Sequence, residues 1–387
     1  MKKKEALATV DDKLLANVID YTNNVVIITD LEGKILYTNK GFSKLTKYEA
    51  VEVLGKKPGD FLQGPETDIE TVKRIRVKLN NHERVDETII NYSKTGEKYW
   101  LKLDIETLRD ENGVPTNFLA IESDVTLMKE TERLATNQNK RISDNIAYAH
   151  MLQDALFRNT ELTDTLFEEL FIFDQPKDTV GGDFYIFDKI QNKKVIFVGD
   201  CTGHGVSGAI MTAIASSIIK SMLLKYKTLS PTLILTKSLE MLRGMLDGGE
   251  NPIKDSFEGT ILFIDEIQKT VRYASIGMDL YLYSDEKVER IKGQKEKVLF
   301  ENEMISKSER IISYKENDMI YLTTDGFKDQ FGGEDDKKFT TRRIQDLLGN
   351  IYHLSSDEQY EKVKSEMDNW KNGLPQTDDI LMVGIKL

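Results

Sequence analysis

Two kinds of apolar pattern divide this chain of 387 residues. Short runs rich in β-branched residues and bounded by Gly, Asp and Asn dominate both ends, and such runs read as strands. Near the start, Val25-Val26-Ile27-Ile28-Thr29-Asp30, the turn Leu31-Glu32-Gly33-Lys34 and Ile35-Leu36-Tyr37-Thr38-Asn39 predict a β-hairpin. Further strands are expected at residues 87–91, 99–108 and 117–124, after a charged helical stretch at 68–80. This order of elements suits a small α+β sensor. Residues 125–158 differ in kind: they contain no Gly or Pro, and Leu127, Thr131, Leu134, Ile142, Ile146, Ala149, Leu152 and Leu156 recur at spacings of three and four around a polar stretch at Asn137-Gln138-Asn139. A long helix with an interrupted coiled-coil seam follows, and with it a parallel homodimer through the first domain and the helix. The same spacing also describes an amphipathic helix lying on the domain behind it.

In the second half, acids sit at the ends of the apolar runs. Val195-Ile196-Phe197-Val198-Gly199 ends in Asp200, Met319-Ile320-Tyr321-Leu322-Thr323-Thr324 leads into Asp325, and Asp378-Asp379 opens Ile380-Leu381-Met382-Val383. Asp183 lies in Gly181-Gly182-Asp183-Phe184-Tyr185. One such Asp is ordinarily a turn residue or a helix cap; four in similar settings point to a dinuclear metal site. Carboxylates are hard oxygen donors that favour two Mg²⁺ or Mn²⁺ ions over zinc, and two such ions activate water against a phosphate ester. Spacing alone does not assign the ligands. His204, between Gly203 and Gly205, has two readings: a general acid for a leaving oxygen, or a residue packed beside a strand-to-helix turn. Cys201 is the only cysteine and lacks the Cys-x5-Arg loop of thiol phosphatases, so its side chain reads as a small buried filler. Asp329 reads as a surface turn acid, with contact to a metal-bound water as the alternative.

At these residues the sequence resembles a known family. Gly181-Gly182-Asp183-Phe184-Tyr185, Gly199-Asp200-Cys201-Thr202-Gly203-His204-Gly205, Thr324-Asp325-Gly326 and Asp378-Asp379-Ile380 occur in the order found in PPM serine/threonine phosphatases of the SpoIIE-like branch. The resemblance covers residues 160–387 and implies a PPM-type α/β-β/α sandwich. It also implies Asp183, Asp200, the Cys201 carbonyl, Asp325 and Asp378 as metal ligands, with Asp183 and Asp200 catalytic; on its general-acid reading His204 joins them as the third catalytic residue. Asp378 is preferred to Asp379 because the family's ligand is the first acid of the pair. The implied substrate is a phosphorylated regulatory protein, such as a STAS-type anti-sigma-factor antagonist. Asp144 to Leu156, reading Asp144-Asn145-Ile146-Ala147-Tyr148-Ala149-His150-Met151-Leu152-Gln153-Asp154-Ala155-Leu156, is similar to the segment that precedes such domains. Gly181-Gly182-Asp183-Phe184 also approaches the diguanylate cyclase signature, but its fourth-position Glu is missing and the other acids have no place there. A partner-binding scaffold without turnover is the remaining alternative, disfavoured by the intact acids.

Residues 14–127 resemble a PAS domain, more narrowly its flavin-binding LOV subgroup, through Phe61-Leu62-Gln63-Gly64-Pro65-Glu66-Thr67-Asp68, Asn91-Tyr92-Ser93-Lys94-Thr95-Gly96 and Asp124-Val125-Thr126. The photoreactive cysteine position of that subgroup falls on Gly59, a ring-binding Asn on Leu101, the switching Gln on Glu122 and a phosphate-binding Arg on Asp60, whereas Asn91, Gln63 and Arg76 remain. A flavin adduct is therefore excluded and flavin binding is not expected. The domain reads as a dimerisation or protein-contact module ahead of a small-molecule sensor. Residues 128–158 form the helical linker between the two domains.

Composition adds exclusions. A net charge of −12 leaves nothing to offset phosphate repulsion, so no nucleic-acid partner is expected. A single cysteine suits a reducing, cytoplasmic setting. Met1-Lys2-Lys3-Lys4 is followed by Glu5, Asp11 and Asp12 rather than by an apolar signal core. The most apolar helix, residues 208–224, carries Thr212, Ser216, Ser217, Lys220 and Ser221, too polar a set for a membrane span; following Gly203-His204-Gly205 directly, it reads as a core helix packed on the sandwich. Residues 287–310 read as a solvated excursion between strands, and Gly332-Gly333-Glu334-Asp335-Asp336 as an exposed loop.

Overall fold

A computed structural model describes residues 12–157, 165–226, 230–247, 255–294 and 309–387. Its contacts separate two units, residues 1–141 and 142–387. In the first, the expected hairpin forms from β1 (Val25–Thr29) and β2 (Ile35–Thr38), and β3 (Val85–Tyr92), β4 (Lys98–Arg109) and β5 (Pro115–Asp124) complete an antiparallel sheet in the order β2-β1-β5-β4-β3. The helix Ile69–Asn80 starts where Asp68 accepts the amide of Thr71, an N-cap that satisfies a donor the helix cannot. Val25, Ile27, Ile35, Phe42, Leu62 and Ala120 form one small core and Ile89, Tyr99, Leu101 and Leu103 another. Between sheet and helices lies a cavity of about 440 Å³, lined among others by Gly59, Asp60, Gln63, Arg76, Asn91 and Glu122.

A 32-residue helix, Thr126–Phe157, comes next; Arg158 lies outside the described residues. None of its side chains is fully buried. Its last turns nevertheless touch the second unit, where Phe157 packs against Phe184 with ring centroids 5.8 Å apart.

The second unit stacks two five-stranded sheets. One contains β7 (Asp183–Ile190), β8 (Lys193–Cys201), β9 (Phe257–Asp265), β10 (Thr270–Ile276) and β13 (Arg310–Ser313), in the order β13-β10-β9-β8-β7. The other contains β6 (Leu170–Gln175), β11 (Leu280–Ser284), β12 (Lys287–Ile291), β14 (Met319–Thr323) and β17 (Ile380–Lys386), in the order β12-β11-β14-β17-β6. Successive residues of a strand face opposite ways, and here both faces are buried. From β8, Val195 and Phe197 meet the helices Gly205–Lys225 and Pro231–Leu246, while Ile196 and Val198 enter the core between the sheets. In β14, Ile320 and Leu322 enter that same core, and Met319 and Tyr321 face the helices Thr340–Ile351 and Ser356–Lys371. Continuous rather than alternating apolar runs are the sequence mark of such strands. The result is the expected sandwich, helix layer on sheet on sheet on helix layer.

Three local expectations change. Residues 287–291 are not an excursion but the edge strand β12, paired with β11; residues 295–308 lie outside the described residues. The loop around Gly332-Gly333-Glu334-Asp335-Asp336 is the turn of a small hairpin, β15 (Phe331–Gly332) with β16 (Lys337–Lys338). The helix Gly205–Lys225 does reach a mean hydropathy of 1.5, enough for a membrane span by length and composition. Its hydroxyls do not make it polar, because Thr212, Ser216 and Ser217 bond to carbonyls of their own helix. Burial of more than half of that window marks it as the core helix its place in the sequence predicts.

Glu122 is the costliest group in the first unit: burial pushes its carboxyl up to about 8 from 4.5. The folded state holds this proton where the unfolded chain has released it, so the stability present below pH 4.5 is lost as pH rises towards 8. The loss should run at about 1.4 kcal/mol per pH unit across that window. Glu122→Gln should flatten this dependence and melt higher than wild type at pH 8, checked by calorimetric melting of both proteins across the range. Parallel pH dependences would contradict it.

Candidate active site

Register brings the first two acids together. Asp183 opens β7 and Asp200 lies near the end of β8, and the two are direct partners across the antiparallel ladder. Asp183 is buried and accepts the Thr324 hydroxyl at 2.7 Å. That hydroxyl oxygen in turn accepts the backbone N–H of Leu381 at 3.0 Å, so one side chain links three strand ends. Asp325 starts the short helix Asp325–Asp329 directly after β14. Asp378 is exposed just before β17 and accepts the N–H of Asp379.

The electrostatics show how close these groups stand. Burial first, then the carboxylates of Asp325, Asp378, Glu258 and Asp379, push Asp200 up to about 8. Asp183 is held well above the usual carboxylate range by burial and by Asp200, against the opposing Thr324 bond. Burial also raises Asp325, against the opposing charges of Lys328 and Lys338. Like charges in a poorly solvated site disfavour ionisation of each other, and these two lysines do not offset the raised Asp183 and Asp200. No three His, Cys, Asp or Glu side chains among the described residues form a ready-made ligand cluster. The acids share one electrostatic field without sharing a coordination sphere.

Asp379 has a different task from Asp378. It is buried and accepts the N–H of Gly182 at 2.6 Å and of Lys177 at 2.7 Å, one with each oxygen. The carboxylate thus fixes the loop that carries Asp183. Gly182 is required there by close approach: a Cβ would stand 2.5 Å from the Gly203 carbonyl and 2.8 Å from that of Cys201. From the other side, the Gln153 amide on the long helix donates to the Gly181 carbonyl at 2.8 Å and to the Thr212 hydroxyl at 3.1 Å.

Cys201 is buried and its thiol is raised well above the ordinary value, chiefly by burial, so the side chain has no access to thiolate chemistry. His204 is not packed beside the turn. Gly203 and Gly205, at φ +95° and +64°, supply left-handed backbone that a side chain resists. They bracket His204 at the N-cap of the helix Gly205–Lys225 with its ring half exposed. Nδ1 lies 2.9 Å from Asp178 Oδ2 and Nε2 lies 3.4 Å from Lys177 Nζ. Asp329 bonds to Lys338 on the small hairpin.

Sequence reasoning missed Glu258, Asp178, Lys177, Thr324 and Gln153. Only Glu258 left a signal, an acid inside the apolar run of β9 and opposite Asp200 in register. The others act through contacts between segments remote in sequence.

A two-sheet sandwich with facing aspartates at one end defines a phosphatase domain of the PP2C type, here following a PAS domain. The model of the family described as Stage II sporulation protein E (SpoIIE) matches residues 191–387, more than half of the chain: the chain belongs to the SpoIIE family. Asp200, Asp325 and Asp378 fall within the match and Asp183 just before it. A PAS-domain model matches residues 23–127. Among solved structures, the SiaA-PP2C domain of Pseudomonas aeruginosa is 29% identical with a TM-score of 0.58, over 65% of this chain and 98% of that one. Phototropin-1A of Oryza sativa subsp. japonica is 32% identical over 42% of this chain and 18% of its own length. A blue-light-activated histidine kinase of Brucella anthropi is 38% identical over 30% of this chain and 25% of its own length. The chain thus spans a quarter or less of these two relatives.

The two acids of the final pair should separate by stability. Asp379→Asn keeps an acceptor for only one of its two N–H partners, buried Gly182 and partly buried Lys177, and should cost about 1–3 kcal/mol, whereas Asp378→Asn, on an exposed residue, should stay within about 0.5 kcal/mol. Urea unfolding of both variants checks this, and the reverse order would refute it.

Proposed function

We propose that the chain is a metal-dependent protein serine/threonine phosphatase regulated by its PAS domain. Its substrate is a phosphorylated regulatory protein, such as a STAS-type anti-sigma-factor antagonist. One observation carries this reading: the facing pair Asp183 and Asp200, with Asp325 and Asp378 in the same field, is an oxygen-rich acid cluster in which carboxylates outnumber the lysines, Lys328 and Lys338, that act on Asp325. This donor set suits Mn²⁺ or Mg²⁺. Asp183 and Asp200 would hold both ions, with the Cys201 carbonyl, Asp325 and Asp378 completing the ligands. Bound there, two such ions supply charge stabilisation and a water of lowered pKa.

The chain's own groups prepare the site. Thr324 and Asp379 fix the height of Asp183 through hydrogen bonds. With Nδ1 set against Asp178 Oδ2, His204 in its protonated form would carry a second N–H at Nε2, the proton that goes to the departing seryl or threonyl oxygen. Lys177, beside Nε2, adds positive charge on the side where a phosphate enters.

Regulation rests on the long helix. It exposes Leu127, Leu134, Ile142, Leu152 and Leu156 while Gln153 reaches the Gly181 carbonyl, which supports a homodimer that passes a change of register to the Asp183 loop. A scaffold that binds its partner without turnover is the second reading, favoured by the lack of a ready-made ligand cluster among the described residues.

Two measurements test the proposal. Wild type should hydrolyse p-nitrophenyl phosphate only with Mn²⁺ or Mg²⁺, and Asp200→Asn should lose about a hundredfold or more, the scale for one charge-stabilising group; equal rates favour the scaffold. Replacing Asn137, Gln138 and Asn139 by apolar seam residues should change turnover in a dimer detected by light scattering. A monomer, or unchanged turnover and metal affinity, sinks the transmission model.

A further inference from the structure

The cavity of the first unit contains a feature that packing does not explain. Glu122, on β5, is 5% exposed and lines the cavity, yet its Oε2 meets no hydrogen-bond donor. No charged neighbour or donor offsets its burial, which alone raises the carboxyl. A buried acid left so is costly, and the usual explanation of an unsatisfied group in a folded protein is an absent partner.

The surroundings restrict that partner. Around Glu122 the walls are apolar, with Ile27, Leu103, Phe118 and Ala120 among them, and Asn91 supplies a second buried polar group. At about 440 Å³, the space fits a small organic molecule. The remaining charged lining groups, Glu32, Lys57, Asp60 and Arg76, are exposed at the rim, with His82 half-buried. His82, whose buried Nδ1 also meets no partner, stacks on Phe118 with ring centroids 6.0 Å apart, but no charged group acts on Glu122 itself. An anion seated on Glu122 would therefore find no charged partner there. A hydrated inorganic cation would find too few oxygen donors. In the empty cavity the acid keeps its proton up to about pH 8; a basic nitrogen takes that proton up and leaves a carboxylate whose strongest partners are charged N–H groups, bidentate where two donors lie side by side.

We propose that this cavity binds a small, mostly apolar molecule carrying a basic nitrogen head group, an amine or amidine, seated on the Glu122 carboxylate. The apolar body fills the space along Ile27, Leu103 and Phe118, and the head group supplies the donor that Glu122 lacks. The PAS domain is then a sensor of organic bases, whatever the phosphatase acts upon.

A charge series tests this on the full chain. Benzamidine and tryptamine are the cationic probes, benzamide and tryptophol their neutral counterparts, and benzoate and indole-3-acetate the anionic ones. Calorimetric titration should show saturable binding of at least one cation, about tenfold or more tighter than its neutral counterpart, the scale of a hydrogen bond to a charged group. The anions should not bind. Glu122→Gln, whose cooperative melting confirms its fold, should lose the preference for the cation. The proposal is overturned by equal binding of cation and neutral counterpart, by a preference that survives Glu122→Gln, by no saturable binding of either cation at millimolar concentration, or by a flavin absorption spectrum in the purified protein.

Discussion

The facing carboxylates of Asp183 and Asp200 are the constraint on which the catalytic domain depends. Two acids held as direct partners on neighbouring strands, one of them buried, repel each other and lose hydration at once. Left to itself, such a pair pushes its strands apart or takes up protons. The rest of this end of the sandwich keeps it in place. Thr324 donates to Asp183 while tying β14 to β17, and Asp379 clamps the backbone before Asp183 with two short hydrogen bonds. The glycines at 181 and 182 let that loop approach both Asp379 and the Cys201–Gly203 turn without a Cβ in the way.

The same loop is where the long helix makes its polar contact. Gln153 donates to the Gly181 carbonyl two residues ahead of Asp183, and Phe157 seats on Phe184 one residue behind it. The helix thus touches both flanks of the acid, through a hydrogen bond on one side and a ring contact on the other. The loop it meets is buried from Val180 to Asp183 and is held by Asp379.

The PAS domain poses the same problem on a smaller scale, an acid buried for a reason its own fold does not supply. Leu101 is buried in a core cluster, Gly59 and Asp60 are exposed where they line the cavity, and Glu122 is buried within it. The pocket thus carries an acid among apolar walls.

Much of this architecture is legible in the order of residues. The strands of the sandwich announce themselves as continuous apolar runs because both faces are buried, and Asp200 and Asp325 stand out because an acid at the end of such a run has no packing role. The hairpin at residues 25–39 and the long helix are equally plain, since turn chemistry and freedom from Gly and Pro are local properties. Local sequence does not state what those elements meet. The tertiary structure alone decided that Asp379 clamps the loop while Asp378 stays exposed, that His204 leans on Asp178, and that Gln153 reaches Gly181, because each pairing joins segments distant in the chain. It also decided that residues 287–291 are an edge strand, since strand pairing belongs to the assembled sheets and not to the segments that enter them.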